Sequence, residues 1–202
     1  MLVKTNLKED ILTFEQTIIQ CSAPSICGIK PGNMFTTSSE RYSEEIVNFY
    51  KNQFLKYGIF LRTFKTSKNL VMFFTYDFVW IRKILGEPFV KAYLAGKNYP
   101  VEEGIFSVME ELFKRLQKQE NFPHEVGIFL GYPLEDVISF EQMEGKNCKY
   151  CGYWKSYQNP EEAKLCRCKY NNCSQMCKKW FDEGLSVSQI IKKYKKVTEQ
   201  VA

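Results

Sequence analysis

Histidine occurs once in the 202 residues, at His124. A single imidazole excludes any two-histidine metal site. His124-Glu125 also does not continue into a metalloprotease helix, because position 128 is Ile. Glycine is present 11 times but never as GxGxxG or a Walker loop, so no nucleotide cofactor is expected. No apolar run reaches the roughly 18 residues that read as a membrane span. The opening Met1 to Asp10 lacks the apolar stretch of a secretory signal. Internal repeats and low-complexity tracts are missing too. With no membrane segment and no signal, the expected location is cytoplasmic, where thiols stay reduced.

What is present describes an ordinary globular chain, 45% apolar and 15% aromatic, long enough for one sizeable core. Charge is unevenly spread. Residues 1–145 carry 16 basic against 18 acidic side chains, and residues 146–202 carry 12 against 5, a net +7. Such a tail can face nucleic acid or an acidic partner, or it can be a solvated surface.

Six of the eight cysteines fall in that basic stretch: Cys148, Cys151, Cys166, Cys168, Cys173 and Cys177. Cys148-Lys-Tyr-Cys151-Gly152 has the spacing of a metal-binding knuckle, in which a tight turn aims two thiolates at one ion. Asn159-Pro160-Glu161-Glu162 then opens a helix with an N-cap, a first-turn proline and a capping acid. On that helix Cys166, Cys173 and Cys177 fall within about 40° of one line, and Cys168 points the other way. A zinc or iron site would take Cys148, Cys151, Cys173 and Cys177, with Cys166 as a substitute. The competing reading is plain packing. Ala163, Cys166, Tyr170, Cys173, Cys177 and Trp180 form one apolar stripe, and cysteine fills such stripes as a small hydrophobe. A redox pair is the third possibility.

Upstream, apolar spacing predicts a helix over residues 6–20, then a Pro/Gly-punctuated loop from Cys21 to Gly32 and an extended piece at Met34-Phe35. Ile46, Phe49, Tyr50, Phe54 and Tyr57 mark a second helix ending at Gly58. Two strands, Ile59 to Lys65 and Leu70 to Tyr76, flank four polar residues and form an antiparallel hairpin at about 58–76. The second strand is apolar on both faces and so should be central. Asp77 and Pro88 start short helices, residues 101–118 form a longer one, and Pro123 and Pro133 each start a short turn of helix. Ser186-Val-Ser-Gln189 caps a closing helix. The class is α+β, a single compact domain with a small antiparallel sheet covered by helices, divided into a main part, 1–145, and a Cys-rich basic helical segment, 146–202, packed on it.

Cys21 and Cys27 sit in the predicted loop, where a reactive thiol can live, so Cys21, Cys27 and His124 are the candidate catalytic groups of a small thiol/His-dependent enzyme; the competing reading is two small residues buried beside a strand and a histidine that caps or packs. The elements around Gly184 have the look of a helix-turn-helix. The sequence ends at Ala202 with little room for a supporting helix, which argues against nucleic acid as the partner.

Phe122-Pro-His-Glu-Val-Gly-Ile-Phe-Leu-Gly-Tyr-Pro-Leu-Glu-Asp-Val137, Gly152-Tyr-Trp-Lys-Ser-Tyr157 and Ala23-Pro-Ser-Ile-Cys-Gly-Ile-Lys30 together resemble a clostridial and anaerobe family catalogued as domain of unknown function 3793. The resemblance implies one compact domain and supplies no reaction. In that family the Ala-Pro motif often follows His-Cys, whereas Cys21 and Ser22 stand here. Association with flavodoxins and iron-handling proteins is implied, hence a flavodoxin-like or other redox partner. The expectation is a non-enzymatic, cysteine-rich zinc- or iron-binding accessory protein, with the thiol/His enzyme and the acidic-partner binder as alternatives.

Overall fold

The structure, a computed structural model, describes residues 7–66, 69–118 and 122–199. Residues 1–6, where most of the signal reading falls, and Ser67 and Lys68 of the hairpin loop lie outside the described residues.

A three-stranded antiparallel sheet organises the chain. β1 (Gly32–Ser38), β2 (Ile59–Lys65) and β3 (Leu70–Asp77) lie in the order β1-β3-β2, so β3 is central as its two apolar faces require. Side chains alternate across a strand, and β3 uses the alternation to feed two cores. Phe73 joins Ile59 and Leu61 on one face, whereas Met72, Phe74 and Tyr76 enter the other.

The first face is covered by α1 (Leu7–Ile26), α2 (Glu44–Leu55), α8 (Pro160–Asp182) and α9 (Val187–Glu199). The second is covered by α3 (Phe78–Leu85), α4 (Pro88–Gly96), α5 (Ile105–Lys118), α6 (Val126–Phe129) and α7 (Leu134–Gln142). A two-stranded hairpin, β4 (Tyr150–Cys151) and β5 (Lys155–Ser156), lies between α7 and α8 in sequence. The class is therefore α+β, with a small antiparallel sheet between helices.

Local chemistry sets the helix boundaries. Asp77 accepts from Trp80 N at 2.9 Å and starts α3 directly out of β3. Asn159 accepts from Glu162 N at 3.2 Å and Pro160 occupies the first turn of α8. Gln189 accepts from Ser186 N at 2.8 Å at the head of α9. The buried Glu15 of α1 also accepts from Val187 N at 3.1 Å, placing a carboxylate at that helix N-terminus and tying the first helix to the last.

Two expectations change. The extended piece at Met34-Phe35 is a full seven-residue edge strand paired with β3. More consequentially, α1 does not stop near residue 20 but continues through Pro24 to Ile26, so Cys21 and Cys27 are not in a flexible loop. Proline there forfeits one backbone bond, yet Ser22, Ala23, Ser25 and Ile26 are all fully buried, and that packing outweighs the loss. The helix closes in a Schellman motif: Ile29 N donates to Pro24 O at 2.9 Å and Gly28 N to Ser25 O at 3.1 Å. Gly28, at φ +74°, supplies the left-handed residue this closure needs.

Candidate metal centre

That closure leaves Cys27 as the C-cap of α1, aimed into the first core against the C-terminal half of α8. The motif Asn171-Asn172 does not interrupt α8, so Cys173 and Cys177, one turn apart, present their sulfurs along one buried stripe. The three thiols meet. Cys27 Sγ lies 3.4 Å from Cys177 Sγ, Cys173 Sγ lies 4.0 Å from Cys177 Sγ, and all three sulfurs fall within 4.8 Å of one another. Among the described residues no other group of three or more His, Cys, Asp or Glu side chains converges this closely.

The Cys173–Cys177 separation matches that of two ligands of one ion, and Cys27 sits about 0.4 Å closer to Cys177 than such a pair would. Metal–sulfur bonds of about 2.3 Å at tetrahedral or trigonal angles put sulfurs about 3.8–4.0 Å apart. Three S–H groups in one apolar pocket also share protons unequally. Hydrogen bonds from Cys177 and Cys27, with a further one from the Tyr194 hydroxyl, hold the Cys173 thiol well below its usual range. Cys27 and Cys177 are pushed up by hydrogen bonding within the trio, with burial of the thiols adding to it. A metal ion would displace the thiol protons and take three thiolate ligands.

The structure brings together two of the four expected ligands, Cys173 and Cys177, and completes the group with Cys27 rather than with the knuckle. Cys148 is half-buried and Cys151 is exposed, and neither belongs to the converging group. Cys166 is half-buried, with its thiol raised chiefly by burial, and it stays outside the group as well. Cys21 is half-buried and raised by desolvation. The knuckle is a hairpin fastened to α7 by Asp136, a buried carboxylate that accepts from Trp154 Nε1 at 2.7 Å, Tyr157 N at 2.7 Å and Gln158 N at 3.0 Å. Its tight turn serves that docking.

His124 lies on the opposite side of the sheet from the trio. It packs edge-on to Phe140 at 5.0 Å and lines a cleft of about 300 Å³ together with Tyr132, Tyr153, Trp154 and Cys151. Cys21 and Cys27 do not line that cleft, so the thiol that shares a surface with the histidine is Cys151.

Cys27 is the member of the trio that sequence reasoning placed elsewhere. Its signal was present: Ile19, Ala23, Ile26 and Cys27 continue the helical spacing of α1 past Pro24, and the proline masked it.

Among the described residues, no helix is long and apolar enough to cross a membrane. No curated protein and no solved structure matches the chain. One family model does, described as "Protein of unknown function (DUF3793)", and its match runs over residues 18–191, which takes in all three converging cysteines. The chain belongs to the DUF3793 family.

Proposed function

We propose that this protein is a metal-binding accessory protein, non-enzymatic in itself, that holds one zinc or iron ion through Cys27, Cys173 and Cys177. The observation that carries the reading is the convergence of three buried sulfurs, contributed by segments 150 residues apart, within 4.8 Å of one another. Thiolates favour zinc, iron and other soft or borderline ions over magnesium or calcium, which take oxygen ligands. The Tyr194 hydroxyl beside Cys173 is an oxygen that could serve a fourth position. Because one ligand closes α1 and two lie on α8, binding would clamp the first and penultimate helices together, and its free energy would add to folding.

The test is anaerobic purification followed by elemental analysis, with zinc and ferrous iron each titrated into metal-free protein. Wild type and Cys148→Ser should both bind about one ion per chain, and Cys27→Ser should bind far less. Equal, near-zero binding in wild type and Cys27→Ser ends the reading.

A second reading rests on a separate observation, the shared cleft of His124 and Cys151. There the protein would be a small enzyme with an exposed thiol nucleophile and the imidazole as acid or base. Its mark is rapid alkylation of Cys151 that slows by about tenfold or more in His124→Gln. Unchanged reactivity removes it.

A further inference from the structure

Lys30 is the only buried lysine or arginine among the described residues, 2% exposed, and lies immediately beyond the α1 closure. Among the described residues no carboxylate pairs with it. Its Nζ donates to Asn33 Oδ1 at 2.8 Å and faces three tyrosine rings, with centroids at 5.4 Å for Tyr153, 5.7 Å for Tyr132 and 6.0 Å for Tyr170. Asn33 in turn is held by its amide nitrogen, which donates to the carbonyl of Cys21. An unpaired ammonium in such a place is expensive, and folded proteins rarely retain one for packing alone.

Two of the three cage walls have a second face. Tyr132 and Tyr153 also line the cleft that contains Trp154, His124 and Cys151. The amine therefore sits directly behind the aromatic wall of an open site. The two walls are held differently. Tyr132 is stacked on Trp154 at 5.3 Å, whereas Tyr153 is half-buried on the β4–β5 turn, its hydroxyl tied to Asn171 Oδ1 at the exposed surface. Rotation of Tyr153, which also packs edge-on against Tyr170 at 5.1 Å, would open the amine to the cleft.

We propose that Lys30 is a nucleophilic amine that forms an imine with a small conjugated aldehyde or ketone bound in the cleft of Tyr132, Tyr153 and Trp154. The neutral nitrogen attacks the carbonyl carbon, and the carbonyl π electrons move to oxygen, which takes up a proton. The carbinolamine then expels that oxygen as water. The carbonyl oxygen and the two amine hydrogens leave together, and no oxidant or reductant is consumed. Planar conjugated carbonyls suit walls that stack. The protonated imine would keep its positive charge over the same three rings that now face the ammonium.

Burial supplies the reactivity by lowering the Lys30 ammonium to about 8. At neutral pH roughly a tenth of the side chain is then free amine, against fewer than one part in about a thousand for an exposed lysine. That advantage, on the order of a hundredfold, gives Lys30 a selective signal above the surface lysines. The site shares no residue with the thiol trio and is independent of metal.

The experiment uses benzaldehyde with sodium cyanoborohydride at pH 7 on the intact protein, followed by peptide mapping. Among the lysines a benzyl group should appear first on Lys30; that label should be lost in Lys30→Arg and should form several-fold faster in Tyr153→Ala. If the label spreads over exposed lysines and reaches Lys30 only in urea, the proposal is overturned. Wild type and Tyr153→Ala decide the matter even where Lys30→Arg folds poorly.

Discussion

Two regions of this chain hold cysteines in close company, and they arise by opposite means. Cys148 and Cys151 are neighbours in sequence, set by a tight hairpin on the surface. Cys27, Cys173 and Cys177 are neighbours in space, assembled only when the end of α1 packs on α8. The first group follows from three covalent links, the second from a folded core. A knuckle motif states that two sulfurs are close; whether others join them depends on where the hairpin docks. Here Asp136 fastens the hairpin to α7, with its sulfurs apart from the converging three.

The sharpest way to break this contrast is metal stoichiometry: Cys27→Ser should abolish binding by reconstituted protein, and Cys148→Ser should leave it intact. Thiol reactivity comes next. Iodoacetamide should modify exposed Cys151 and Cys168 in the native protein, and the buried trio on the order of a hundredfold more slowly, as checked by mass spectrometry. Cutting the fastening is a smaller effect. Asp136→Ala strands three buried or half-buried donors and should cost about 3 kcal/mol in urea denaturation, while metal binding by the trio stays unchanged.

Lys30 bridges the two regions, since its cage takes Tyr153 from the hairpin and Tyr170 from α8, and it gives a further test. Its folded value, about 8, lies below the ordinary 10.5, so the unfolded chain binds more protons between those limits. The Lys30 contribution to stability therefore rises as pH climbs from about 8 to about 10.5 and is most unfavourable below about 8. The stability difference between wild type and Lys30→Met should shift toward wild type by on the order of 2 kcal/mol over that window. Smallest of all, Cys166→Ser should change stability by less than about 1 kcal/mol and leave metal binding alone.

Much of the frame was legible because it is local. Asp77, Asn159-Pro160 and Ser186-Gln189 carry their helix starts in side-chain chemistry, and the doubly apolar β3 announced its central place. The pairing of Cys173 with Cys177 was legible too, as a one-turn spacing on a single helix. The rest depends on long-range packing. Pro24 reads as a helix breaker until the burial of Ala23 and Ile26 is known, and with it Cys27 reads as a loop residue. Lys30, beside Pro31 and Gly32, reads as a surface turn; only the assembled tyrosines reveal it as buried.

The tie between Glu15 and the head of α9 bears on how the protein is made. Glu15 and its partner Val187 lie 172 residues apart in sequence, so part of the oily side of α1 must wait, uncovered, while the residues between them are synthesised. Loading of an ion by the trio would likewise have to follow synthesis of α8. During that interval the nascent chain offers chaperones a ready handle.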